Sequence, residues 1–345
     1  MSIWRAPALL VLCDGTPLPG VSAVQVTSNN HFAADTWRLQ AAISADPAGL
    51  SAWDARTGSV IEVMIGLAAG GWTSLITGQI DHMTADPIEG GIAIEGRDLT
   101  ARFIAARTSE AFANQTASEV AALLAGRQGM AAQVTETTTP IGRYYGDEHD
   151  RVTLARYARA STEWDLLVWL AEQEGFDVYV SGTTLTFQPP SNGPVPELML
   201  QATPTATAQP NVSLLRLERA FTLSGPIDVT VQTWNSQSQS GFSQTASRDG
   251  TGPASSYVFV RPNMTSGAAL ALAQQKLSAL AQHQYVLTAH LPGELTLTAR
   301  DEVGLTGTGS SFDQSYTIDK ITRRFDMRTG FTEIIRATSS GQAGS

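Results

Sequence analysis

The sequence predicts a mainly β protein with an α+β insertion, in which two barrel-like domains flank a small helix-and-hairpin module. Three observations lead there. Apolar residues recur with period two over residues 1–100 and again over 191–345, the period lengthens to that of a helix over 101–190, and 30 glycines and 16 prolines punctuate the chain.

In the first region the expected strands are Pro7 to Leu12, Val21 to Val26, Trp37 to Ala42, Val60 to Leu67, Trp72 to Thr77, Gln79 to Met83 and Ile92 to Glu95. Asp14-Gly15, Pro19-Gly20, Gly70-Gly71 and Asp86-Pro87 with Gly90-Gly91 separate them as turns. In Ile61, Val63, Ile65 and Leu67 one face is continuously apolar.

The middle region opens with Thr116-Ala117-Ser118-Glu119, a capping box in which hydroxyl and carboxylate each satisfy an orphan amide. Val120, Leu123 and Leu124 form the stripe behind it, and Gly126 or Gly129 ends the helix. A helical run is expected at Thr153 to Ala160. A second box, Thr162-Glu163-Trp164-Asp165, starts a helix that Gly175 stops. Phe176, Val178 and Val180, then Ser181-Gly182, then Leu185 and Phe187 read as a hairpin.

Pro189 to Asn211 reads as a linker or long loop. Strands resume at Val212 to Leu223 and Ile227 to Thr233, and Asn235 to Ser256 reads as a polar loop. After a short strand at Tyr257 to Val260, Thr265 or Ser266 begins a helix with its stripe at Leu270, Ala273, Leu277 and Leu280. The expected closing strands are Val286 to Ala289, Glu294 to Ala299, Glu302 to Leu305, Tyr316 to Arg324 and Phe331 to Arg336.

Composition narrows the function classes. Charged residues are 16% of the chain, against about 25% in an average soluble domain, so much of the polar surface is Ser, Thr, Gln, Asn and Gly. Such side chains enter a wet subunit interface at modest desolvation cost. The formal net charge of -10 argues against tight binding to a phosphate backbone, while suiting a wall along which DNA passes without adhering. The single Cys13 excludes an intrachain disulfide. No run reaches the roughly 20 apolar residues of a membrane helix. Pro7 and the short apolar run after Arg5 read as a strand rather than an export signal.

No catalytic, cofactor-binding or metal-ligating residues are expected. His31, His82, His149, His283 and His290 have no helix-ligand spacing. Asp147-Glu148-His149-Asp150 is the densest cluster of potential ligands and equally fits a solvated loop tip. Gly307-Thr308-Gly309-Ser310 lacks the Lys and the following helix of a phosphate loop, which leaves a tight turn. Arg97 is expected in a structural ion pair where the first region ends. Arg323 and Arg324, with Asp319, Lys320, Asp326 and Arg328, are expected in salt bridges between subunits.

The order and spacing of several fragments resemble the baseplate hub proteins of contractile phage tails and related injection machines, the late control protein D group. The fragments are Gly78-Gln79-Ile80-Asp81, Gly96-Arg97-Asp98-Leu99-Thr100, Asn114-Gln115-Thr116-Ala117-Ser118-Glu119 and Thr162-Glu163-Trp164-Asp165-Leu166-Leu167 leading through Gly175-Phe176. Late in the chain, Gly307 to Asp313 runs into Tyr316-Thr317-Ile318. The resemblance implies a non-enzymatic virion protein in the tail baseplate, assembled in the bacterial cytoplasm. It implies a homotrimeric ring that joins a sixfold tail tube to a threefold spike, touches other baseplate subunits and surrounds the passage of DNA, with no cofactor. Two alternatives stand beside it. One is a carbohydrate-binding barrel using Trp4, Trp37, Trp53 and Trp72; the other is a hydrolase using Asp81, Asp98 or the carboxylates of Asp147 to Asp150.

Overall fold

The computed structural model describes residues 7–46, 49–67, 71–108, 112, 115–138, 162–190, 198–202, 211–235, 240–261 and 264–339. The chain divides into two compact units built from discontinuous stretches. The first takes Met1–Asn192, Gly293–Ala299 and Ile321–Glu333; the second takes Gly193–Pro292, Arg300–Lys320 and Ile334–Ser345.

The first unit begins with β1 (Pro7–Cys13), β2 (Thr16–Pro17), β3 (Val21–Asn29), β4 (Thr36–Ala42), the short helix α1 (Leu50–Asp54), β5 (Val60–Leu67), β6 (Trp72–Asp86) and β7 (Gly91–Asp98). These strands lie in the order β2-β1-β5-β6-β7-β4-β3. Alternation fills the face beneath them with Val11, Val24, Trp37, Leu39, Ile61, Val63 and Ile94, all buried. The two strands expected at Trp72 to Thr77 and Gln79 to Met83 are one continuous strand, β6. Gly78 sits in its interior because a neighbouring side chain and backbone occupy the space of a Cβ.

The helical module follows as α2 (Thr100–Ala105), α3 (Ala117–Arg127), β8 (Ala131–Val134), α4 (Glu163–Glu174), β9 (Asp177–Ser181) and β10 (Thr184–Gln188). Both capping boxes form. Thr116 Oγ1 accepts from Glu119 N at 3.3 Å while Thr116 N donates to Glu119 Oε2 at 2.8 Å; Thr162 Oγ1 accepts from Asp165 N at 3.1 Å while Thr162 N donates to Asp165 Oδ2 at 3.0 Å. Gly175 closes α4 in the left-handed region at φ 68. The expected hairpin is β9–β10, and it gains β8 as a parallel third strand. Phe103, Leu124, Leu166, Leu167, Val178, Leu185 and Phe187 form a core of their own, and Trp164 Nε1 donates to Phe32 O at 2.9 Å. The helical run expected at Thr153 to Ala160 lies outside the described residues.

The second unit contains β11 (Leu198–Gln201), β12 (Leu214–Arg219), β13 (Ile227–Asn235), β14 (Ser240–Arg248), β15 (Ser255–Val260), α5 (Ser266–Ala281), β16 (Tyr285–Pro292) and β17 (Glu302–Thr306). Within Pro189 to Asn211, β11 pairs parallel with β17, so the expected linker contains a strand. The polar stretch expected as a loop at Asn235 to Ser256 holds β14 and the first residues of β15. β14 has one buried residue, Ala246, and its order comes from the full antiparallel register with β13, including Thr230 and Thr245 hydroxyls 2.8 Å apart. α5 packs on this three-stranded sheet through Ala269 and Ala273, while Leu270, expected in the stripe, is exposed.

A long hairpin, β18 (Ser315–Asp326) and β19 (Gly330–Ser339), contributes to both units. In the first unit β18 neighbours β3, with Met327 N donating to Ser22 O at 3.3 Å. In the second unit β17 pairs with the start of β18, and β12, β16 and β19 are successive neighbours. Residues 294–299, expected as a strand, form none.

The expected barrels are absent: no sheet among the described residues closes on itself. One end of the strand order is β2, which has two exposed residues, one of them Pro17. A strand so short, with a proline that has no amide to donate, is an edge rather than a seam. Alternation in sequence cannot distinguish an open sheet from a closed one, because both bury every second residue.

Candidate functional site

The fragments Gly78-Gln79-Ile80-Asp81 and Gly96-Arg97-Asp98 are brought together by strand register. On β6 and β7, Gly78 lies opposite Asp98, Gln79 opposite Arg97 and Ile80 opposite Gly96. Trp37 on β4 lies opposite Gly96 from the other side and is 2% exposed. A Cβ on Gly78 would collide with Arg97 O and come within 2.6 Å of Trp37 Nε1. One on Gly96 would collide with Gln79 O and come within 2.8 Å of Trp37 Cζ2. Both glycines therefore make room for one indole, whose Nε1 donates to Arg97 O at 3.4 Å.

Above this indole lies an open cleft of about 350 Å³, lined among others by Gln25, Arg38, Asp81, His82, Glu95 and Arg97. A register irregularity between Ile80 and His82 turns Asp81 toward Arg97. Arg97 then binds Asp81 with both ends of its fork, Nε to Oδ2 at 2.6 Å and Nη2 to Oδ1 at 2.9 Å. The Asp81 carboxylate raises the Arg97 pKa, chiefly through this hydrogen bonding. This is the ion pair expected of Arg97, made within one sheet.

Asp98 follows Arg97 and is buried. Its Oδ1 accepts from Thr100 N at 3.1 Å and its Oδ2 from Thr100 Oγ1 at 3.0 Å, which fixes the turn from β7 into α2. Burial first, then the charge of Asp35, pushes its pKa up to about 8. Both of its oxygens are committed to this local turn. Asp81 and Asp98 thus serve different partners and do not form an acid/base set. Asp147 to Asp150 lie outside the described residues, and no group of three or more potential metal ligands occurs among the described ones.

The remaining candidate residues resolve in the same way. Trp37 and Trp53 are buried, Trp53 beneath the Arg56 guanidinium at 4.8 Å; Trp72 is half exposed and Trp4 lies outside the described residues. Two buried rings of the four remove the aromatic platform of the carbohydrate-binding alternative. In the loop after Gly307, Asp313 accepts from Thr308 N at 3.0 Å, Thr308 Oγ1 at 2.7 Å and Gly309 N at 2.8 Å. The amides an anion would need are held by the protein's own carboxylate, and the Thr308 hydroxyl above all keeps the Asp313 pKa low.

Arg323 corrects the expectation of an inter-subunit bridge. It is buried inside the first unit, where Nε donates to Glu333 Oε2 at 2.8 Å and to Glu294 O at 3.0 Å, and Nη2 donates to Leu297 O. Arg324, on the opposite face of the strand, is exposed and lies 3.6 Å from Asp326. Glu333 was not singled out in the sequence, yet it shares the inward period of Phe331, Ile335 and Ala337.

No family model matches the chain, and no curated protein does. Solved structures do. The tail protein of Neisseria meningitidis MC58 superposes with a TM-score of 0.74 at 16% identity, covering 97% of this chain and 97% of that one. The 43 kDa tail protein of prophage MuSo2 from Shewanella oneidensis gives 0.71 at 16% identity, covering 96% and 98%. An Escherichia coli component of the type VI secretion system, itself similar in structure to the T4 bacteriophage tail proteins gp27 and gp5, gives 0.54 at 11% identity, covering 95% and 76%. The fold of this chain, over nearly its whole length, is that of phage tail proteins.

Proposed function

We propose that this chain is a structural hub of a phage tail or related injection particle, located in the baseplate. The observation that carries this reading is the end-to-end match of fold: 97% of each chain is shared with a tail protein of nearly the same extent. The buried Trp37 indole between Gly78 and Gly96, with the bidentate Arg97–Asp81 pair beside it, supports a structural role for this part of the sheet.

In this reading three copies form a ring that joins the sixfold tail tube, or its initiator, to the threefold spike, and the ring touches other baseplate subunits. Closed threefold symmetry ends growth without a free interface. The low charge, 16% of residues, supports large buried contacts, and the net charge of -10 supports a lumen that DNA crosses without specific binding. Residues 1–100, 101–190 and 191–345 are the proposed functional modules. The particle is assembled in the host cytoplasm.

Mass measurement in solution over a range of concentrations tests the ring. A trimer is expected, alone or on addition of the spike, with a ring in negative-stain images. A chain that stays monomeric at every concentration and with the spike present would overturn the proposal.

A further inference from the structure

The strand arrangement of residues 7–98 is repeated near the end of the chain. β1, β3, β4, β5, β6 and β7 lie side by side as β3-β4-β7-β6-β5-β1, and β11, β12, β16, β17, β18 and β19 lie as β12-β16-β19-β18-β17-β11. Each strand keeps its place in both chain order and sheet order. Local detail repeats as well. Ile80 N donates to Ser59 O at 3.4 Å, and Ile318 N to Asp301 O at 2.9 Å. Asp86 Oδ1 accepts from Ile88 N and Glu89 N, both at 2.9 Å, while Asp326 Oδ1 accepts from Arg328 N at 2.8 Å and Thr329 N at 3.3 Å. Gly90 and Gly330 close these two hairpin turns at φ 73 and φ 76. The outer strand departs from the pattern, since β11 is parallel to β17 where β1 is antiparallel to β5.

β6 and β18 therefore hold equivalent places, as do β3 and β12. Both β6 and β18 run on past their first neighbour, because β5 covers β6 as far as Gln79 and β17 covers β18 as far as Thr317. Beyond that point β18 carries β3 within the first unit. The Thr27 and Thr322 hydroxyls lie 3.4 Å apart and Met327 N donates to Ser22 O at 3.3 Å, so the two strands run antiparallel. On β6, among the described residues, no strand covers 81–86 on that side. β12 shows the matching gap. Its one neighbour among the described residues is β16, and Leu215 and Leu217 are half-buried where Val24 and Val26 of β3 are each 2% exposed.

We propose that β12 of one copy of this chain adds antiparallel to residues 81–86 of β6 in a second copy, as β3 adds to β18 within the chain. An open edge of amides and carbonyls is completed by an extended strand, and neither edge contains a proline to prevent it. The occupant is a second copy because the equivalent edge is already filled by the equivalent strand. In this pairing Leu214, 49% exposed, meets the turn that carries Ile88, 98% exposed. At the other end Arg219 approaches Asp81, opposite in charge. The contact joins two different surfaces, so repetition around an axis closes a ring. The inference rests on the hub reading, which supplies that ring.

Disulfide trapping on the full chain, with mass measurement of the reduced protein beside it, tests the pairing. Leu214→Cys with Ile88→Cys is expected to give chains linked in twos and threes on oxidation. Leu214→Cys with Met327→Cys is the control, because Met327 is as exposed a turn residue but the strand before it already carries β3. The first pair should cross-link about tenfold more than the second. A trimer by mass in which both pairs link equally, or neither links, overturns this pairing and leaves the ring standing. A chain that stays monomeric and unlinked at every concentration also overturns the pairing, whereas the ring falls only if the spike too fails to assemble it.

Discussion

The indole of Trp37 lies across Gly96, its register partner on β7, and fills the volume that a side chain there would take. Gly78 on β6 yields to the same indole from the next strand. Three adjacent strands are thereby fitted around one buried ring, which explains two glycines in strand interiors where they would otherwise weaken the sheet.

Gly96→Ala and Gly78→Ala are each expected to destabilise the protein by about 1–3 kcal/mol, because the new Cβ meets backbone that cannot swing aside. Gly126→Ala in α3 is the contrast. A Cβ there meets nothing within 4 Å, and the change should stabilise by about 0.5–1 kcal/mol through helix propensity. Urea denaturation midpoints measure all three.

Asp98 should make stability fall with rising pH. Its folded pKa, about 8, lies above the unfolded value of 3.8. The native state therefore binds the proton more tightly, and stability is lost as pH climbs between those values. Asp98→Asn keeps an acceptor for Thr100 and should flatten the decline between about pH 5 and pH 8. Glu333 has the same sign, so a residual slope should remain in that variant. Chemical denaturation across this range reads both.

The Arg97–Asp81 pair, though bidentate, is about one-third exposed at each partner. A double-mutant cycle with Arg97→Ala and Asp81→Ala should give a coupling of at most about 1 kcal/mol, shrinking in high salt. A coupling of several kcal/mol would show that the cleft is drier than its opening implies.

Each capping threonine supplies an acceptor to an otherwise orphan amide. Thr116→Ala and Thr162→Ala should each cost about 1 kcal/mol. Their effects should add within about 0.5 kcal/mol, since the boxes cap different helices. Thermal or urea unfolding of the single and double variants checks this.

Much of the local structure was legible because its causes are local. Thr116-Ala117-Ser118-Glu119 and Thr162-Glu163-Trp164-Asp165 close on themselves, and Gly175 reaches the left-handed region without help from distant residues. Ile61, Val63 and Ile65 alternate as any half-buried strand does. The polar β14 was not legible, because its order depends on the register of β13 rather than on apolar content. Residues 294–299 misled in the opposite sense. Leu295 and Leu297 have the strand period, but the carbonyls of Glu294 and Leu297 are turned to Arg323 instead of a neighbouring ladder.

Sequence by itself determined the alternation of strands, the capped helices between them and the low charge. Tertiary structure alone decided that the sheets stay open, that β18 and β19 serve both units, and that Arg323 closes on Glu333 within the chain. The physical reason is range. Capping and side-chain alternation act over a few residues, whereas sheet closure and burial of a charge depend on what strands distant in sequence leave unpaired.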